Sequence, residues 1–325
     1  MSPITTVCLL WWVLINEFRG VRMTESDSVL ESEDGSMELK LPVSGLRISA
    51  RRYGRGTGPT VLAVHGWLDN LNSFVPMAAE LPGLELITID MPGHGHSEHQ
   101  ARGRPYETVS WLGYLLEIMD VLGLGKTWLM GHSFGAGITS LFAGLYPERV
   151  KGLVAIENLG VMFAAEGQFP ELLRHHHHMV QRSRYRRARQ TFAGLEDAMF
   201  ARRKGSSHPL SDASLRLIVE RSLGPAEEGR LQWRTDPDLR IPPPWRLSQD
   251  HVYSLLEEIT APVLYIQATG GILTSPFVAA ANEMAARVKD LNVLKVEGSH
   301  HVHMEAPQVI ARPVLEFISG HEGQR

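Results

Sequence analysis

Apolar and polar residues alternate along 37–41 and 46–52, the period-two pattern of two half-exposed antiparallel strands. Short, nearly continuous apolar runs follow at 61–64, 84–89, 127–130, 153–156, 263–266 and 293–296. Runs of that kind predict central strands of a parallel sheet covered on both faces. Between them apolar residues recur at helical spacing, as at Trp111, Leu112, Leu115, Leu116, Met119 and Leu122. A second such series, Ile138, Leu141, Phe142 and Leu145, stops at Pro147. This alternation predicts a mostly parallel, doubly wound α/β sheet. From about 160 to 248 the chain is instead rich in Arg, His and Gln with helical spacing, and Pro242, Pro243 and Pro244 close the stretch. It is expected to be an inserted helical cap, with 37–159 and 249–325 forming the core and Ser248 capping the next helix.

Composition narrows the function more than the fold. The chain has 325 residues, 43% of them hydrophobic, and a formal charge of -4. That balance gives no reason to expect nucleic acid or an anionic membrane as partner. Cys8 is the single cysteine, which excludes internal disulfides and Cys-based zinc sites. Residues 1–36 are expected to be a leader, either disordered or upstream of the true start, with Met23 and Met37 as candidate starts. Its apolar run at 7–15 is not preceded by Lys or Arg and falls short of a membrane span, which leaves only a weak membrane or export reading. A cytoplasmic protein without stable membrane insertion is expected; the oligomeric state leaves no trace in the sequence.

The chemistry begins at Gly131-His132-Ser133-Phe134-Gly135, a G-x-S-x-G between a predicted strand and a predicted helix. A nucleophile there sits on a sharp turn that the glycines permit, with its hydroxyl over a helix N-terminus. His65-Gly66-Trp67 follows the strand at 61–64, where such an architecture supplies one oxyanion-hole N–H from Trp67, with Phe134 supplying the other. His132 and Trp67 are also expected to contact substrate. The loop Asp90-Met91-Pro92-Gly93-His94-Gly95-His96-Ser97 lacks a phosphate-binding pattern and is read as structural. Near the C-terminus, Gly298-Ser299-His300-His301-Val302-His303 offers three histidines as a base.

These blocks, in this order, resemble the α/β-hydrolase superfamily over about 37–319, and within it serine hydrolase-like (kraken-type) proteins. The resemblance selects His300, which stands seven residues before Pro307 of the closing E-x-P element. It also implies an acid after the strand at 262–266, but the chain reads Gln267-Ala268-Thr269-Gly270-Gly271, with Gly271 where Asp is expected. Glu157, at the end of the strand after the nucleophile helix, is the candidate replacement, as in some dehalogenases of the superfamily; Glu297 is the weaker alternative.

Other features carry less. Adjacent histidines at His175–His178 diverge around a helix and do not form a metal site. The basic residues at 182–189 and 202–204 are read as a solvated face, although an anionic substrate would also suit them. Trp233 and Trp245 suit either a pocket or packing. The sequence therefore predicts a serine hydrolase that cleaves a small-molecule carboxylic ester or related acyl bond through an acyl-enzyme, with no metal or organic cofactor. The rival reading is a catalytically weak or inactive ligand-binding protein on the same fold, favoured by Gly271.

Overall fold

The structure is a computed structural model that describes residues 30–31, 35–164, 167–184, 190–275 and 277–323. Strands β1 (Leu30–Glu31), β2 (Met37–Val43) and β3 (Leu46–Tyr53) pair antiparallel at one edge of the sheet. Ser44 and Gly45, both at positive φ, make the two-residue turn between β2 and β3. Strands β4 (Thr60–Val64), β5 (Glu85–Ile89), β6 (Thr127–His132) and β7 (Val150–Ile156) follow, with helices α1 (Val75–Glu80), α2 (Thr108–Val121) and α3 (Phe134–Leu145) between them.

Residues 160–248 leave the sheet. They carry α4 (Phe169–Arg184), β8 (Thr191–Phe192), α5 (Leu195–Lys204), α6 (Asp212–Ser222), β9 (Leu223–Pro225) and β10 (Leu231–Trp233). Strands β8, β10 and β9 form a separate three-stranded antiparallel sheet. Two or three residues are too few to show a period-two signal, so the sequence pattern reveals only the helices here. The chain then returns through α7 (Gln249–Glu257), β11 (Val263–Gly270), α8 (Val278–Ala285), β12 (Leu291–Ser299), α9 (Val302–Glu305) and α10 (Pro307–His321). Ser248 caps α7 as expected, in a capping box with His251.

The main sheet has nine strands in the order β1-β2-β3-β5-β4-β6-β7-β11-β12, and from β5 to β12 neighbours run parallel. The alternation of side chains splits each central strand between two cores. Leu62 and Val64 pack with Trp111 and Leu115 of α2 and Phe142 of α3, whereas Val61 and Ala63 pack with Met77 of α1 and Ile310 and Phe317 of α10. Two expectations change. Strand β12 lies at the sheet edge, with Val293 49% exposed, so its apolar run is not that of a doubly covered strand. Leu30–Glu31 pairs with β2, so strand pairing starts before Met37; residues 1–29 and 32–34 of the expected leader, including 7–15, lie outside the described residues.

The inserted segment has a small core of its own, built from Phe192, Ala198, Met199, Leu215, Val219 and Leu223. It is docked by polar contacts. Asn70 Nδ2 donates to the Ile218 carbonyl (2.8 Å) and to Ser222 Oγ (3.0 Å), and Asn72 Nδ2 donates to the Leu217 carbonyl (3.0 Å). Arg221, almost fully buried, donates from Nε to Asp90 Oδ2 at 2.8 Å and pairs with Glu38. Among the described residues no helix is long and apolar enough to cross a membrane.

Candidate active site

The carboxyl ends of β4, β6, β7, β11 and β12 bring the sequence-predicted residues to one edge of the sheet, where ligands of open α/β sheets bind. Ser133 follows β6 at φ 52° and ψ -114°, outside the regions a side-chain-bearing residue ordinarily adopts. The turn around it is as tight as the glycines suggest. A Cβ on Gly131 would lie 2.5 Å from the Ala136 backbone, and one on Gly135 would run into the Val64 and His65 carbonyls. Gly135 thus lets α3 press against the end of β4, which seats Phe134 beside the His65–Trp67 loop. The Trp67 and Phe134 rings meet edge-on with centroids 5.0 Å apart. Phe134 opens α3, so its N–H is one of the donors that a helix start leaves without an intrahelical partner.

Two buried histidines shape that loop. His65 donates from Nδ1 to the Gly66 carbonyl (2.8 Å) and accepts the Met91 N–H at Nε2 (3.1 Å). His94 donates from Nδ1 to the Pro92 carbonyl (3.1 Å) and accepts the Leu68 N–H at Nε2 (3.2 Å). Each must be neutral to do both, and burial lowers the pKa of each, that of His94 to about 3. Asp90 accepts the Leu71 and His96 N–H groups at 2.8 Å each. The 90–97 loop therefore has the structural part read from its sequence, and it props Leu68 at φ 62° just beyond Trp67.

His300 lies between β12 and α9, and its Nδ1 is 3.1 Å from Glu157 Oε2. Glu157 follows β7 at φ 65° and is fully buried. Its Oε1 accepts the Ala268 N–H, and Oε2 also accepts the Ile272 N–H at 2.6 Å. Both donors flank the end of β11, the strand between β7 and β12. Neighbouring strands are ~4.8 Å apart, so a carboxylate rooted on β7 has to reach over β11 to meet His300. Gly271 makes the room: a Cβ there would overlap Glu157 Oε2 and lie 2.5 Å from Cδ. The carboxylate of Glu157 occupies the space a side chain at Gly271 would fill. Glu297, the alternative acid, is exposed on β12.

His132, expected above to contact substrate, has no exposed surface. It donates from Nε2 to the His300 carbonyl at 2.8 Å, tying the His300 loop to the residue before Ser133. Burial, then the neighbouring His303, His300 and His301, hold its imidazole well below the ordinary histidine range. Trp67 is 36% exposed and remains the accessible member of that pair. His301 Nε2 is 3.2 Å from Asp69 Oδ2, and Arg202 Nη2 donates to Asp69 Oδ1 at 2.9 Å. Burial pushes the Asp69 carboxyl up, but His301 and Arg202 outweigh it and hold the group well below the usual carboxylate range. Asp69, His132 and His301 offer ligand-type atoms within 4.8 Å of one another. Arg202 already meets the Asp69 charge, so a dication there would leave excess positive charge buried. Of the His175–His178 run, His176 bonds the Pro242 carbonyl.

Sequence reasoning missed Asp69 and His208, the latter stacked on His300 with ring centroids 4.3 Å apart, and read Arg202 as part of a solvated basic face although it pairs with the buried Asp69. Asp69 had a signal in its place just past the His65–Trp67 turn; a lone histidine in the inserted segment had none.

A family model described as the alpha/beta hydrolase fold matches residues 59–307. A serine hydrolase-like protein of Dictyostelium discoideum is 28% identical over 288 residues, covering 85% of this chain and 79% of the relative. The crystal structure of a hypothetical protein from Pseudomonas aeruginosa superposes with a TM-score of 0.77 at 30% identity, over 88% of this chain and 98% of that one. The thioesterase domain from the curacin biosynthetic pathway shares the fold, with a TM-score of 0.75 at 21% identity over 86% of this chain and 99% of its own.

Proposed function

The chain belongs to the α/β-hydrolase fold family, and on that premise we propose that it is a serine hydrolase cleaving carboxylic esters or related acyl bonds through an acyl-enzyme. Ser133 Oγ attacks the acyl carbon while His300 takes its proton at Nε2, with Nδ1–H donated to Glu157. The carboxylate fixes that tautomer and stabilises the imidazolium, itself staying ionised. Negative charge developing on the carbonyl oxygen is met by the N–H groups of Trp67, in the loop after β4, and of Phe134, at the start of α3, each worth about 3 kcal/mol in the transition state. His300 then protonates the leaving group, and water repeats the sequence on the acyl-enzyme.

The observation that carries the reading is the seat of Glu157: its carboxylate, held by two backbone N–H groups and 3.1 Å from His300 Nδ1, fills the space left by Gly271. That seat weighs against the inactive binding protein that Gly271 suggested, because a carboxylate faces His300 Nδ1 from another strand. We take the inserted segment 160–248 as the lid of this site, on the stack of His208 against His300 and the contact of Arg202 with Asp69.

The test is turnover of a panel of p-nitrophenyl esters of graded acyl length, run beside acyl-CoA and lactone panels, with wild type and Ser133→Ala. Hydrolysis abolished in the variant supports the proposal. Equal rates in both proteins, or a folded wild type inert across all the panels, contradict it.

A further inference from the structure

We propose that His208, supplied by the inserted segment, is a positioning residue that holds the flat face of the His300 imidazole in line between Ser133 and Glu157. The inference rests on the serine hydrolase reading above and adds to it a part played by the lid.

The geometry is specific to this pair. His208 and His300 are stacked, with ring centroids 4.3 Å apart and planes inclined by 29°. The other rings around His300 meet it differently: His132 is tilted at 4.9 Å and His301 stands edge-on at 5.3 Å. Glu157 takes the Nδ1 edge. His208 is therefore the ring that lies along the face of the imidazole and blocks its rotation about χ2, the torsion left soft in a histidine side chain.

The backbone that carries His208 is tied down on both sides. Ser206 Oγ donates to the His208 carbonyl at 2.7 Å, and the His208 N–H lies 3.2 Å from the same hydroxyl. Pro209 follows, and its ring limits the conformation of His208. Ser211 then caps α6 and donates from its N–H and its hydroxyl to Glu305 Oε1 on α9, at 3.0 and 3.2 Å. Helix α9 begins two residues after His300, so the His208 loop is hydrogen-bonded to the helix that follows the His300 loop.

Chemistry gives the stack a purpose. In the transition state His300 becomes an imidazolium, and a neutral aromatic face against it stabilises that charge, whereas a second cation would oppose it. Burial, followed by the charges of His300 and His301, lowers the His208 pKa and keeps its ring neutral at neutral pH. A cation–π contact of this kind, partly desolvated, corresponds to roughly a tenfold change in rate.

The experiment compares His208→Phe, His208→Leu and His208→Ala for kcat, KM and the rate of fluorophosphonate labelling of Ser133. His208→Phe keeps an aromatic face and is expected within about threefold of wild type in kcat. His208→Leu keeps bulk without the face and, like the Ala variant, is expected to lose about tenfold or more in both kcat and labelling rate, with KM within about twofold. Loss of packing in the lid would instead raise KM and spare the Leu variant. Leu matching Phe, or all three variants matching wild type, overturns the inference. A wild type that is never labelled would refute the serine hydrolase reading itself, which separates the two failures.

Discussion

Restoring the family's aspartate at Gly271 should damage this protein unless Glu157 is removed with it. The obstacle a side chain at Gly271 meets is the Glu157 carboxylate. A Cβ would overlap Oε2 and lie 3.0 Å from Oε1, forcing the carboxylate off the Ala268 and Ile272 N–H groups. Hydrogen bonds to a charged group are worth ~1.5–3 kcal/mol each, so losing two costs about 3–6 kcal/mol before the repulsion of a second carboxylate is counted. Gly271→Asp is therefore expected to lower unfolding stability by at least that 3 kcal/mol or so and to lower esterase activity with it. Glu157→Ala clears the space. The double variant should regain much of the stability lost by Gly271→Asp and exceed Glu157→Ala in kcat, because one carboxylate again faces His300 Nδ1. Urea denaturation of the four proteins, with kcat for a p-nitrophenyl ester, completes a double-mutant cycle. Independent, additive effects of the two substitutions, or a Gly271→Asp protein as stable as wild type, would refute the idea that the two positions share one space.

Other consequences follow from the same contacts. Glu157→Gln places an amide N–H₂ or a carbonyl where two N–H donors and His300 Nδ1–H converge, and kcat should fall about a hundredfold or more with KM little changed; steady-state kinetics checks this. His65, His94, His96, His132 and His303 are buried or half-buried with pKa values pushed down by desolvation, to about 3 for His94 and about 4 for His96. Because the folded values lie below the unfolded one, the stability they contribute is present above about pH 6.5 and is lost as pH falls below it, at up to about 1.4 kcal/mol per pH unit for each fully buried group and less for the part-exposed His96. Urea midpoints at pH 7.5 and 5.5 should differ accordingly, and equal midpoints would count against the neutral cluster. Arg221→Met leaves Asp90 buried without its guanidinium and should cost about 3–5 kcal/mol in unfolding stability; a loss under about 1 kcal/mol, typical of an exposed pair, would show the pair to be energetically superficial.

Much of the fold was legible because two simple periods wrote it. Buried strands such as β4 and β6 are continuous apolar runs, and α2 and α3 show their core faces at helical spacing. Strand β12 was misplaced to the sheet interior because an apolar run of four residues does not say which neighbours cover it. The strands β8, β9 and β10 were missed because they are too short to have a period. At the site, Ser133 and the Trp67 loop stood out because sharp turns require glycine at fixed positions. Glu157 could be suspected only from the gap at Gly271, since nothing local marks a residue whose partner is 143 positions away. His132 was misread for a related reason: adjacency to Ser133 in sequence suggested access to substrate, but β6 alternates faces and turns that ring into the protein. The Asp69–His301–Arg202 network and the His208 stack depend on packing between separate segments, which no short pattern records.

The proposed function depends on Ser133 being a nucleophile activated through His300 and Glu157. Intact-mass analysis after incubation with a fluorophosphonate, followed by peptide mapping, tests it most directly. One adduct per chain is expected on Ser133, none in Ser133→Ala, and labelling slowed strongly in His300→Ala and Glu157→Gln. A folded wild-type protein that takes up no label, or takes it up elsewhere at the same rate when Ser133 is absent, would contradict it.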